Sequence, residues 1–174
     1  GEPLLRLDLL TQAIQYAGKA GIPYIRTGTN GFLFRNSHKP GFKDRMQRLA
    51  DTLCETPLRN FWISMDSAVP EIHEQMRGLP GVIKGIETAL PVFHANGLYP
   101  SVNLGINRWV GQDRSKLVDT GRFADEQDYL DSFFHSFKQA FDDFYRRAFN
   151  LGFTIVNTCY PMSIDPDDTL DGLS

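Results

Sequence analysis

The chain has 174 residues, a length that fits one domain with a substantial hydrophobic core. Its net charge is −3 without any block of basic residues, which excludes an electrostatic nucleic-acid binder, and no apolar run approaches the roughly 18 residues that a membrane helix needs. Cys54 and Cys159 form neither a Cys-x-x-Cys pair nor a disulfide framework. Together, charge, hydropathy and cysteine usage predict a soluble, cytoplasmic protein with no nucleic-acid or membrane partner.

Hydrophobic periodicity predicts helices and strands that alternate along the chain. Apolar residues three and four positions apart indicate amphipathic helices, and short apolar runs bounded by Gly, Pro or Asn indicate strands. The predicted elements are a helix at 4–19, a strand at 23–27, helix 42–53, strand 60–65, short helix 70–76, helix 82–95, strand 98–106, helix 126–150 and strand 153–157. Residues 109–124 are predicted to form a long loop. Residues 1–164 are predicted to form the domain, and 165–174 an acidic tail or linker.

This alternation predicts an α/β fold of parallel βα units, in either a doubly wound sheet or a barrel. In both architectures ligands bind at the carboxyl ends of the strands, where the βα loops meet. Short polar residues recur at those positions, and Glu2 joins them if Gly1 ends a further strand. The others are Thr29, Asn30, Ser64, Asp66, Asn103, Asn107, Arg108, Asn157 and Thr158. They predict a hydrogen-bonding rim suited to a polar ligand such as a nucleoside or an amino acid.

Four motifs at these positions resemble those of the radical S-adenosylmethionine (SAM) enzymes. Gly1-Glu2-Pro3 resembles the end of the Gly-Gly-Glu-Pro motif that follows the family's second strand, and Thr29-Asn30-Gly31 resembles its Thr-Asn-Gly after the third. Ser64-Met65-Asp66-Ser67 resembles the end of the fourth strand, and Val102-Asn103 resembles the fifth. The first three motifs are one βα unit apart. The likeness covers about residues 1–108, and only the βα rhythm supports it beyond that point.

The resemblance implies a fold and an activity. The fold is a partial (β/α) barrel of the radical SAM type, related to the TIM barrel, with parallel strands and outer helices but without the first βα unit and most of the second strand. The parent protein would be an enzyme that cleaves SAM reductively at a [4Fe–4S] cluster to a 5′-deoxyadenosyl radical. A reductant such as flavodoxin or ferredoxin would supply the electron. The substrate is not identified, and a peptide or protein is one candidate.

The resemblance also implies a set of SAM-binding residues. They are Gly1, Glu2, Pro3, Thr29, Asn30, Ser64, Asp66, Asn103 and Arg108. Gly1 and Glu2 would bind the methionyl ammonium group, since a carbonyl and a carboxylate accept its hydrogen bonds. Asp66 would bind the ribose hydroxyls, with Ser64 and Asn103 contacting the ribose or the methionyl end. Arg108, or alternatively Arg77, would pair with the SAM carboxylate.

Most of these residues also have a purely structural interpretation. Thr29-Asn30-Gly31 would form a turn at positive φ whatever its function. Asp66 would serve as an N-cap of the following helix, Glu2 would lie favourably at a helix N-terminus, and Arg77 would form a salt bridge on a helix surface.

The cluster ligands that define the radical SAM family do not occur in this sequence. The family binds its cluster through a Cys-x3-Cys-x2-Cys loop after the first strand, and neither cysteine here has that spacing. We expect that loop upstream of Gly1, so that this fragment alone would be inactive and contain no catalytic or metal-ligating residue. Two other hypotheses remain. One is an iron-independent βα-barrel lyase or hydrolase, and the other is a degenerate, non-catalytic barrel that binds a nucleotide or a partner.

Overall fold

The computed structural model describes residues 2–105 and 120–159, and within them four parallel strands form one sheet. The strands are β1 (Arg26–Thr29), β2 (Asn60–Met65), β3 (Ser101–Gly105) and β4 (Val156–Cys159). Their order in the sheet is β1-β2-β3-β4, so each strand pairs with the next one along the chain. Right-handed crossovers that always step in the same direction place their helices on one side. The predicted parallel α/β fold is confirmed, and the strand order is compatible with a partial barrel.

In the part of the chain that the structure describes, five α-helices connect and precede the strands. They are α1 (Leu7–Lys19), α2 (Phe42–Cys54), α3 (Pro70–Arg77), α4 (Val82–Ala95) and α5 (Glu126–Leu151). Side chains cap two of them. The Asp125 carboxylate accepts from the amide of Asp128 at the start of α5 (2.8 Å), and the Glu74 carboxylate accepts from the amides of Gly81 and Ile83 at the start of α4. These caps satisfy amides that have no partner inside the helix.

The hydrophobic core lies between one face of the sheet and the helices. Phe61, Ile63 and Met65 alternate along β2 and are fully buried on this face. Phe61 meets Phe93 of α4 edge to face, with ring centroids 6.1 Å apart. Gly85 of α4 packs directly on the backbone carbonyl of Phe34, where any Cβ would overlap the oxygen. The helix layer is therefore fixed closely on this side of the sheet.

Three strands begin later than predicted. Strands were predicted at 23–27, 98–106 and 153–157, whereas β1, β3 and β4 begin at Arg26, Ser101 and Val156. The predicted runs at 98–106 and 153–157 start with residues that complete the end of the preceding helix, since the amide of Leu98 donates to the Phe93 carbonyl and that of Phe153 to the Ala148 carbonyl. β1 in turn extends to Thr29, which was predicted to lie in a turn.

Some predictions fall outside the described residues. Gly1 and Arg108, most of the loop predicted at 109–124, and the proposed boundary between the domain and its acidic tail all lie there. In the ranges 2–105 and 120–159, none of the helices has the length and apolar character needed to cross a membrane.

Candidate functional site

The face of the sheet opposite the core carries a row of polar side chains. Ser64 pairs in register with Asn103, and Asn103 pairs with Asn157, so the three residues lie side by side on β2, β3 and β4. Residues paired in register point to the same face of a sheet. All three are half-buried. Within residues 2–105 and 120–159 the side chains of Ser64 and Asn103 form no hydrogen bond, which leaves their polar atoms available to a ligand.

A short ladder of side-chain hydrogen bonds across β4, β3 and β2 supports this row. The Asn157 amide donates to the Ser101 hydroxyl (3.2 Å), and that hydroxyl donates to the Asn60 side-chain carbonyl (3.3 Å). Ser101 has no exposed surface. The ladder fixes the orientation of Asn157, because its donor is committed to a buried hydroxyl.

The same face borders a cavity of about 360 Å³, lined by Arg26, Trp62, Asn103 and the residues of β4. The Trp62 indole lies across Gly28, where any Cβ would overlap the ring. The Arg26 guanidinium lies over the indole, 5.4 Å from its centroid. Sequence analysis did not single out Arg26 or Trp62. The available signal was the alternation along residues 60–65, which places Trp62 on the face opposite Phe61.

Glu2 joins the N-terminal segment to the end of β1. One carboxylate oxygen of Glu2 accepts from the Thr29 hydroxyl and the Asn30 amide, both at 2.8 Å, and the other accepts from the Leu4 amide at 3.1 Å. The Thr29 hydroxyl in turn accepts from the Gly31 amide (3.0 Å). The structure thus brings Glu2, Thr29 and Asn30 into one hydrogen-bonded group. The Leu4 contact is also the capping role that the structural interpretation of Glu2 anticipated.

Asp66 follows the last residue of β2 and forms a partly buried ion pair with Arg77 of α3. Both oxygens of the carboxylate are engaged, one by Nε of Arg77 and the other by Nη2 at 2.7 Å. Arg77 thus forms a salt bridge, as its structural interpretation stated. Asp66 is not the predicted helix N-cap, because α3 begins after Val69 and receives no side-chain cap.

His73 lies behind this ion pair and is fully buried. Its Nδ1 accepts a hydrogen bond from the Asp66 backbone amide (3.1 Å), so the ring proton is on Nε2. Burial lowers the pKa of His73, Asp66 and Glu74 oppose this shift and Arg77 adds to it, and the resulting pKa is about 4. His73 is therefore neutral at pH 7. The burial of His73 was not predicted from the sequence.

The predicted site residues fall into two adjoining groups. Thr29 pairs in register with Ile63 and so points to the core face, whereas Ser64, the next residue of β2, points to the open face. The Glu2 group and the polar row therefore meet near the ends of β1 and β2 but on opposite faces of the sheet. Asp66 lies beside Gly105 at the end of β3, where a Cβ would come 3.2 Å from a carboxylate oxygen. Pro3 only begins a 3₁₀ turn, Pro3–Arg6.

No protein-family model and no curated protein matches this chain. Its chemistry therefore has to follow from the side chains themselves. In the described ranges no group of three or more His, Cys, Asp or Glu residues is arranged to hold a metal ion. Cys54 and Cys159 are both exposed free thiols.

Proposed function

We propose that this chain is the SAM-binding part of a radical SAM enzyme. The observation that carries the proposal is the alignment of the motif residues at the carboxyl ends of adjacent parallel strands, in the order in which the motifs occur in the chain. When bound together, SAM and a [4Fe–4S] cluster supply one-electron cleavage of SAM to a 5′-deoxyadenosyl radical. The cluster would need thiolates from outside this chain, and flavodoxin or ferredoxin would supply the electron.

The Glu2 carboxylate suits the methionyl ammonium group. A carboxylate offers about four acceptor positions, and three are occupied by Leu4, Thr29 and Asn30. The remaining position is on the oxygen that accepts from Leu4. Because Glu2 is only half-buried, a ligand can reach it. The hydroxyl and the two amides would hold the carboxylate in one orientation, which lowers the entropic cost of binding a cation there.

The end of β2 suits the ribose. Arg77 balances the charge of Asp66, so this carboxylate is better matched to neutral hydroxyl groups than to a cation. Ser64 and Asn103, which have free hydrogen-bonding atoms, lie on the same face two positions or fewer from the strand ends. Since the guanidinium of Arg77 is committed to Asp66, the SAM carboxylate is left to Arg108.

The decisive test measures SAM cleavage by the parent protein. After anaerobic reconstitution with iron and sulfide, the protein is given SAM and dithionite, and 5′-deoxyadenosine is quantified. We expect its formation in the wild type and at least a tenfold loss for Glu2→Gln and for Asp66→Asn. Glu71→Gln, which changes an exposed carboxylate of α3, serves as the matched control and should leave cleavage unchanged.

The other hypotheses give different results in this experiment. SAM binding without 5′-deoxyadenosine, in a protein that holds no cluster, would identify a non-catalytic binding barrel. Absence of SAM binding, together with turnover under air and without iron, would identify an unrelated lyase or hydrolase.

A further inference from the structure

We propose that Arg26 and Trp62 form an anchor for the oxyanion of the substrate, a carboxylate or phosphate, in the cavity on the open face of the sheet. That this anion is a substrate group rests on the proposed function. The binding site itself rests on the geometry of the cavity alone. Arg26 and Trp62 are not themselves proposed SAM contacts, since Trp62 precedes Asp66 by four residues, about 13 Å at about 3.3 Å per residue. The two sites adjoin at Asn103, which lines the cavity and is also a proposed SAM contact.

The anchor is pre-organised by the way Trp62 packs on Gly28 of β1. Gly28 has no side chain, so the Trp62 indole lies flat across β1 in the space that a Cβ would fill. The guanidinium of Arg26 lies over that indole. Stacking restrains an otherwise flexible side chain, and a restrained guanidinium presents its parallel N–H donors with a smaller loss of entropy.

The charge of the cavity also selects an anion. The described residues of its lining combine Arg26 with an indole, amides, a hydroxyl and the Cys159 thiol, and they include no carboxylate. Across the described parts of the chain no Asp or Glu forms an ion pair with Arg26, whereas Arg6, Arg77 and Arg147 each have one. A carboxylate or a phosphate fits the fork of a guanidinium bidentately. Arg26 is therefore a cation at this cavity that forms no ion pair with any described residue.

The other polar groups limit the size and character of the ligand. A volume of about 360 Å³ is near the lower end of the roughly 300–1,000 Å³ typical of ligand pockets. The free amide of Asn103 can both donate and accept, as it would with an amide or hydroxyl beside the oxyanion. The structure therefore favours a small, polar substrate group over an extended apolar one.

The test uses the indole N–H signal of Trp62 in NMR spectra of this chain. The chain has two tryptophans, so Trp62→Phe assigns the signal. The probes are N-acetylglycine, its neutral analogue N-acetylglycinamide, and inorganic phosphate. We expect a saturable shift with N-acetylglycine or phosphate and none with the neutral amide. The oxyanion that binds more tightly identifies the source of the group.

Variants separate the anchor from a general effect of charge. Arg26→Gln should weaken binding at least tenfold, and Arg26→Lys should restore part of it, because lysine keeps the charge but not the fork. Arg45→Gln is the matched control. Arg45 is also exposed and lies 5.4 Å from an aromatic centroid, that of Phe42, but on α2 and away from the cavity. Equal effects of Arg26→Gln and Arg45→Gln, or a shift that never saturates, would overturn the proposal.

A parallel SAM titration distinguishes this inference from the proposed function. Unchanged SAM binding by Arg26→Gln, with loss of oxyanion binding, supports both. Loss of SAM binding in Arg26→Gln would overturn the inference, because Arg26 would then belong to the cofactor site. If the wild type binds N-acetylglycine through Arg26 but never binds SAM, the oxyanion site stands and the proposed function fails.

Discussion

The two faces of the β-sheet use the same strands but opposite kinds of side chain. On β2 the residues Phe61, Ile63 and Met65 are sealed under the helices, while Trp62 and Ser64, between them, are half-buried on the open face. Side chains on the face covered by the helices contribute stability in proportion to the apolar area that they remove from water. Polar atoms on the second face that have no partner contribute little to stability but can bind a ligand. Stability and binding are therefore carried by alternate residues of one strand.

The largest effect should come from the sealed face. Phe61→Ala removes a ring that has 1% exposure and packs edge to face on Phe93, so we expect a loss of about 3–5 kcal/mol in the free energy of unfolding. Urea denaturation measures it. Trp62→Ala removes an even larger side chain from the open face and is the matched variant. If Trp62→Ala cost as much as Phe61→Ala, the open face would be part of the core and the comparison would be wrong.

His73 should produce the next largest effect, and it depends on pH. Burial lowers the pKa of His73 from 6.5 to about 4, so the folded protein binds this proton less readily than the unfolded chain. The resulting stability is fully present above pH 6.5 and is lost as the pH falls from 6.5 to 4. The total loss is roughly 3 kcal/mol at about 1.4 kcal/mol per pKa unit.

Urea titrations between pH 4 and pH 7 test this prediction. His73→Gln should remove most of the slope between pH 6.5 and pH 4 that the wild type shows beyond its carboxylate titration. His135→Gln, at an exposed position of α5, should retain it. A wild type and a His73→Gln variant with identical slopes would contradict a neutral, buried His73 behind the strand ends.

Periodicity predicted the elements where one physical signal dominates. β2 was predicted at its observed limits because Asn60 precedes a short, nearly continuous apolar run that ends at Met65. The starts of β3 and β4 were predicted too early because Leu98 and Phe153 are apolar yet complete the ends of α4 and α5. A helix terminus of this kind and a strand start are both short apolar runs after a glycine, so composition alone does not separate them.

The candidate site was predictable only in part, because some of its contacts join residues of different strands or helices. Ser64 and Asn103 could be identified from their position near strand ends, and the register that makes them neighbours follows from the parallel pairing. The stacking of Arg26 on Trp62 requires Gly28 to lie beneath the indole, a contact between strands that no local pattern reports. Likewise, the burial of His73 depends on how α3 docks against the end of β2.

The smallest effect on stability should come from the polar row on the open face. This prediction separates binding from stability most directly. Because the side chains of Ser64 and Asn103 have no hydrogen-bond partner within the described residues, Ser64→Ala and Asn103→Ala should each change the free energy of unfolding by no more than about 0.5 kcal/mol. Each should nevertheless weaken SAM binding roughly twofold to tenfold in calorimetric titration, the value of one hydrogen bond. Thr88→Ala, which removes a hydroxyl bonded to Lys84 on α4, should leave SAM binding unchanged. A loss of stability without any loss of SAM affinity would show that the row supports the fold, and that the two faces do not divide stability from binding.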